Sequence, residues 1–129
     1  SVALVHGMSR PIGAAFHVPH GLSNAMLLPS VTEFSIPGAP ERYATCARTI
    51  GVASESDSYA VANEKLLAEL RALNDELQVP SPEQFGIERE TFMELMPTMA
   101  EQALASGSPN NNPRVPNAQE IVEIYRSLW

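Results

Sequence analysis

The sequence has 129 residues, of which 44% are hydrophobic and 18% charged, and its formal net charge is −7. This composition is typical of one globular domain with a hydrophobic core and excludes a disordered chain. With only eight Lys and Arg residues, the chain has no basic patch to neutralise phosphates, so we expect no nucleic-acid partner. No apolar run approaches the ~20 residues that cross a bilayer, so we also expect no membrane partner.

The single cysteine, Cys46, excludes an intrachain disulfide framework and favours a reducing, cytoplasmic location. Cys46 lies in a helical pattern, where we predict a buried, unreactive thiol. The sequence begins without Met in the middle of an apolar pattern, and we interpret it as a piece of a longer protein. An exposed apolar face at Val2, Leu4 and Val5 would then favour self-association, so we expect a homo-oligomer.

The spacing of apolar residues predicts an all-α chain of six or seven helices, because no segment alternates as a strand does. The first helix is expected to bend at Pro11 and continue to Phe16, since Gly7 tolerates a proline ring one turn later. Val18-Pro19 ends it. A second helix from His20 to Val31 is apolar on nearly all sides and should be buried.

Two further helices follow a turn at residues 35–40. The third is expected to bury one face and to stop at Gly51. Residues 54–57 should then cap a fourth helix, which carries the clearest apolar stripe in the chain. The third helix would bury Tyr43, Cys46, Ala47 and Ile50, and the stripe of the fourth consists of Tyr59, Ala62, Leu66, Leu70, Leu73 and Leu77.

The C-terminal third contains two more helical patterns separated by a polar loop. The first pattern, from Ile87 to Leu104, is expected to break or kink at Pro97. Its three methionines are interpreted as core-filling residues. The loop spans residues 106–116, and the last helix should open with a capping box made by Asn117 and Glu120.

All three histidines, His6, His17 and His20, lie within fifteen residues. Imidazole is the commonest metal ligand among side chains, and a helix–turn–helix can bring His6 and His20 together, with Gly7 and Gly21 leaving room for a ligand. A catalytic metal needs at least three protein ligands. His17 could be a third ligand, a support for one, or a substrate-facing residue; equally, the histidines could be hydrogen-bonded core residues.

Residues 6–14 (HGMSRPIGA) and 19–29 (PHGLSNAMLLP) resemble the signature of the iron-containing (group III) alcohol dehydrogenases. Residues 112–114 (NPR) and the final amphipathic helix resemble the end of the same family, so the resemblance covers essentially the whole chain. It implies that residues 1–129 form the all-helical C-terminal domain of the dehydroquinate synthase-like, iron-containing alcohol dehydrogenase fold. The N-terminal α/β dinucleotide-binding domain of the family would be absent from this chain.

The resemblance also implies a chemistry. In the family, one Asp and three His hold a divalent metal, usually Fe²⁺ and sometimes Zn²⁺, between the two domains. His6 and His20 match the last two of these histidines, while the Asp and the first His would lie upstream. The enzyme would interconvert a small alcohol and an aldehyde or ketone by hydride transfer with NAD or NADP, which the missing domain would mainly bind. The isolated chain is expected to be inactive.

One position departs from the family pattern. Many members carry a histidine, thought to assist proton transfer, where this chain has Arg10. Because a guanidinium does not release its proton at ordinary pH, His17 is the nearest candidate for that role. Arg10 could instead bind a substrate carboxylate or a cofactor phosphate, or form an ordinary ion pair.

Two alternatives remain open. A maleylacetate reductase-like enzyme would share the fold but need no metal. A non-catalytic helical interaction module would need neither His6 nor His20.

Overall fold

The computed structural model describes residues 2–129, and within this range it is all-helical, as predicted. Two short 3-10 segments, Ile36–Gly38 and Ser108–Asn111, accompany the α-helices. In chain order the helices are α1 Leu4–Phe16, α2 His20–Ser35, α3 Pro40–Thr49, α4 Tyr59–Glu76, α5 Pro82–Phe85, α6 Arg89–Ala105 and α7 Ala118–Arg126. None of these helices is long and apolar enough to cross a membrane.

The main core lies between α1, α2, α6 and α7. Leu4, Met8 and Ile12 follow one another at four-residue steps along α1, and all three are fully buried. This spacing puts them on one face of the helix, as the sequence pattern predicts. On α6, Phe92 is also fully buried, and its ring contacts those of Tyr125, Phe16 and Trp129 at centroid separations of 5.2–5.9 Å.

A second, smaller core joins α3 to α4. It consists of Ala44, Ala47, Ala62 and Leu66. The buried face predicted for α3 is therefore wrong in part, because the helix is rotated about its axis relative to the prediction. Cys46 is exposed, because the small side chains of α3, and not Cys46 or Ile50, allow the close approach to α4.

Helix α4 is also less buried than its stripe suggests. Leu73 and Leu77 are 43% and 65% exposed, and neither belongs to the small core that α4 forms with α3. Its N-cap is Ser58, whose hydroxyl accepts from the amide of Val61. The prediction that residues 54–57 cap this helix was thus misplaced.

Helix α6 runs through Pro97 without the break that was one expected outcome there, and the other outcome, a kink, stays a prediction. The expectation of an exposed apolar face at the start of the chain was wrong at Leu4. Leu4 does not form an exposed apolar face, because it is fully buried against the main core, while Val5 packs at its edge and Val2 is 36% exposed.

The polar loop before α7 is fixed to the end of α2. The Asn112 amide donates to Ser35 Oγ at 2.9 Å and to the carbonyl of Arg114 at 2.8 Å. The guanidinium of Arg114 donates to the carbonyl of Phe34 at 3.1 Å and lies 4.1 Å from the centre of the Phe34 ring. A side chain at Gly38 would overlap the backbone of this loop, so the loop passes directly over the end of α2. The capping box predicted for Asn117 and Glu120 is confirmed.

Candidate metal centre

The turn between α1 and α2 brings two of the three histidines together. His6 lies in the first turns of α1 and His20 is the first residue of α2. Between them, His17 ends α1 in the left-handed conformation with φ 57°, and Pro19 precedes α2. The ring centroids of His6 and His20 lie 6.1 Å apart, with their planes tilted by 44°. Two side chains fourteen positions apart thus face one another across the turn.

Both ring nitrogens of His20 have polar neighbours. Nδ1 lies 3.4 Å from Ser9 Oγ, and Nε2 lies 3.3 Å from the amide nitrogen of Asn24. Ser9 is fully buried and its hydroxyl also donates to the carbonyl of His6 at 3.3 Å. Asn24 is one helical turn beyond His20 on the same face of α2. The ring is therefore held from both sides although the residue itself is exposed.

His6 is more enclosed. Its Nδ1 atom is buried and has no hydrogen-bond partner among residues 2–129. A buried polar atom without a partner costs free energy and calls for an explanation, for which a bound ligand is one candidate.

The two glycines beside the histidines differ. A Cβ atom at Gly7 would lie 3.2 Å from Pro109 Cδ and 3.3 Å from the carbonyl oxygen of Ala103. Gly7 therefore allows α1 to pack against the C-terminal part of the chain, and the expectation that it leaves room for a ligand is wrong. At Gly21 an added Cβ would meet nothing within 4 Å, so the surface next to His20 is open.

Arg10 and His17 are both exposed. Within residues 2–129, the Arg10 side chain takes part in no ion pair. His17 uses its backbone amide to close the end of α1 on the carbonyl of Gly13. Neither side chain is buried by the packing of residues 2–129, so both remain accessible to other molecules.

The donor set fits half of a metal site. Metal–nitrogen bonds of about 2.1 Å put an ion about 3.2 Å from each ring centroid, so two rings on one tetrahedral ion have centroids about 5.2 Å apart. The observed separation of 6.1 Å is about 0.9 Å longer, so the two rings would have to turn toward the ion to share it. However, no group of three or more His, Cys, Asp and Glu side chains in the described part of the chain could hold a metal. Any further protein ligands would have to come from elsewhere.

Ser9 and Asn24 were not identified from the sequence as parts of this site. Ser9 follows His6 by three residues and Asn24 follows His20 by four. These are the spacings that put two side chains on the same helical face, so the signal was present. It was ambiguous because Ser and Asn at such positions commonly bond to the local backbone instead.

Residues 1–129 match the family model described as the Fe-containing alcohol dehydrogenase family, C-terminal. Among curated relatives, lactaldehyde reductase of Escherichia coli is 34% identical over 129 residues, which are 99% of this chain and 33% of the relative. The chain therefore spans about a third of the length of the curated relatives that it matches.

Comparison with solved structures points to the same family. A 1,3-propanediol oxidoreductase superposes with a TM-score of 0.89 and 33% identity, over 98% of this chain and 32% of the other. An iron-containing alcohol dehydrogenase from Thermococcus thioreducens gives a TM-score of 0.81 and 34% identity, over 98% and 31% of the two chains. The helical arrangement described above is thus also found in these structures.

Proposed function

Because this chain belongs to the Fe-containing alcohol dehydrogenase family, we propose that it is the helical C-terminal part of a metal-dependent oxidoreductase. The complete protein would interconvert a small alcohol and an aldehyde or ketone with NAD or NADP. The names of the relatives, a lactaldehyde reductase and a 1,3-propanediol oxidoreductase, support this substrate class. The single observation that carries the proposal is the facing pair of His6 and His20 rings. The nucleotide-binding domain and the remaining metal ligands would lie outside these 129 residues.

His6 and His20 would hold a divalent ion, Fe²⁺ or Zn²⁺, through imidazole nitrogens. When bound, such an ion would polarise the oxygen of the alcohol or carbonyl as a Lewis acid. The chain's own contribution is positional. Helices α1 and α2 fix the two rings, and the surface at Gly21, next to His20, is open.

Arg10 and His17 would act on the substrate or the cofactor. His17, whose imidazole nitrogens can donate or accept a proton, would carry the proton lost or gained by the alcohol oxygen. Arg10 has a planar guanidinium whose donors match carboxylate and phosphate oxygens, and would bind an anionic group of this kind. Both side chains are exposed, which such roles require.

The metal assignment can be tested by elemental analysis of the complete gene product, purified with added iron. We expect about one metal per chain in the unaltered protein, and a loss of most of it in His20→Ala, because a chelating nitrogen is removed. His17→Asn, which tolerates the left-handed backbone at this position, serves as the control and should retain its metal.

Retention of metal by His20→Ala would refute the assignment, and loss in His17→Asn would make His17 a third ligand. A complete protein without metal under all conditions would favour the reductase-like alternative, in which His6 and His20 are ordinary polar residues.

The roles of Arg10 and His17 separate in steady-state kinetics. We expect His17→Asn, which tolerates the left-handed backbone, to lower kcat by about 10²-fold, the usual effect of losing a general acid or base. Its pH–rate profile should also flatten. Arg10→Ala should instead raise KM for the anionic reactant with little change in kcat, and Arg10→Lys should recover part of the loss. An unchanged pH profile in His17→Asn would exclude His17 as the proton carrier.

A further inference from the structure

The hydroxyl of Ser9 lies within hydrogen-bond distance of both candidate ligands. Ser9 is fully buried on α1, its hydroxyl donates to the backbone carbonyl of His6 at 3.3 Å, and its oxygen lies 3.4 Å from Nδ1 of His20. This inference rests on the proposed function: we propose that Ser9 is a positioning residue for the His20 ring. Ser9 would hold this ring with the proton on Nδ1 and the lone pair on Nε2, the nitrogen that would bind the ion.

The direction of the hydrogen bonds follows from counting protons. A serine hydroxyl has a single proton to donate and two lone pairs that accept. If this proton goes to the carbonyl of His6, Ser9 Oγ can only accept at its second contact. The contact with His20 is then satisfied when Nδ1 of the ring carries the proton.

The other side of the ring agrees with this assignment. The Asn24 side-chain amide nitrogen, a donor only, lies 3.3 Å from Nε2 of His20. A donor there requires a lone pair on Nε2, which is the state that Nδ1 protonation leaves, and an ion that binds Nε2 would displace this contact. The opposite arrangement requires the amide of Asn24 to be turned over, and it would put the proton on the nitrogen that has to bind the ion.

This arrangement matters for affinity because a histidine that binds a metal almost always donates its other N–H to a fixed acceptor. That acceptor sets the tautomer and the direction of the ring. In this chain the acceptor is itself bonded to the backbone of His6, the other candidate ligand. One hydroxyl therefore ties the His20 ring on α2 to the segment of α1 that carries His6.

The chain offers a matched control. Ser23 is also fully buried, lies on α2, and donates its hydroxyl to the backbone carbonyl of His20 at 3.0 Å. The structure records no bond from Ser23 to the ring. Ser9→Ala and Ser23→Ala therefore each remove one buried hydroxyl next to His20, but only Ser9→Ala removes the acceptor for Nδ1.

The test uses the complete gene product, stripped of metal, with Zn²⁺ as the probe in competition with a chromophoric chelator. We expect Ser9→Ala to weaken Zn²⁺ binding by about 10–100-fold, the usual effect of losing the partner of a metal-binding histidine, and Ser23→Ala to leave it unchanged. Equal affinities in the two variants would overturn the proposal.

A second readout does not depend on any substitution. NMR of isotopically labelled histidine rings in the unaltered, metal-free protein should show His20 protonated on Nδ1, and Ser9→Ala should lose this preference. His20 protonated on Nε2 in the unaltered protein would overturn the role of Ser9. His20→Ala distinguishes the two proposals, because undiminished Zn²⁺ binding in that variant refutes the metal site itself. A loss in His20→Ala together with normal binding in Ser9→Ala refutes only the role of Ser9.

Discussion

Tyr125 joins the last helix of the chain to the first. Its ring is fully buried, and its hydroxyl donates a 2.6 Å hydrogen bond to the carbonyl oxygen of Met8. We expect Tyr125→Phe to lower the free energy of unfolding by about 1–2 kcal/mol, because a buried hydrogen bond is lost while the shape of the side chain is kept. Urea denaturation of this chain measures the change. Tyr59→Phe, at a position that is 45% exposed, is the control and should change stability little.

The same residue predicts a dependence on alkaline pH. Burial raises the pKa of the Tyr125 hydroxyl far above its usual value, so the folded chain holds this proton more tightly than the unfolded chain does. The stabilisation that comes from keeping the Tyr125 hydroxyl protonated is complete below the usual tyrosine pKa of about 10, and it is lost as the pH rises beyond that value. Tyr125→Phe should therefore have a shallower fall in stability above this pH. An unaltered slope would contradict this role of Tyr125. Burial also raises the pKa of Tyr43, so a smaller slope should remain in both the unaltered protein and Tyr125→Phe.

The histidines show how far a residue can be predicted without a structure. The type and spacing of His6 and His20, and the motif around them, were enough to select them as a pair. Their separation and the partners of the His20 ring were not predictable, because they depend on how far α1 and α2 rotate about their axes when they pack.

Helices α3 and α4 form a hairpin that is attached to the rest of the molecule mainly through α2. The attachment includes the Asn74 amide, which donates to the carbonyl of Ala25 at 2.8 Å, and an exposed ion pair of Arg71 with Glu33. Exposed ion pairs contribute little to stability. The core inside the hairpin is small, since three of its four buried residues are alanines.

We therefore expect the hairpin to open at a lower free energy than the main core. Hydrogen exchange followed by mass spectrometry should show faster exchange for the amides of α3 than for those of α6. Leu66→Ala, which removes the largest side chain of the small core, should lose about 2–5 kcal/mol of local stability. It should speed exchange in α3 while leaving α6 unchanged. Equal protection of α3 and α6 in the unaltered chain would contradict this expectation.

Six of the seven helices were predicted from the sequence, and only the shortest was missed. Helices α1, α2, α3, α4, α6 and α7 correspond to predicted patterns, whereas α5 has only four residues, too few for a period. Its capping box, in which Ser81 and Gln84 bond to each other's backbone amides, was the available signal. Pro97 was expected to break or kink α6 because proline removes an amide donor. The helix continues through this residue, and Phe92, Met96 and Met99 on its buried face belong to the main core.

At the scale of the whole molecule, the sequence by itself determined the fold class, the number and order of the main helices, the family and the pair of histidines. These depend on local periodicity and on short motifs, which are properties of neighbouring residues. The tertiary structure alone decided that Leu4 is covered, that Cys46 is exposed, that Gly7 serves packing, and that Ser9 and Asn24 hold the His20 ring. An apolar stripe shows that a helix has a buried side, but the side chains of the opposing helix decide which of two adjacent rows is covered.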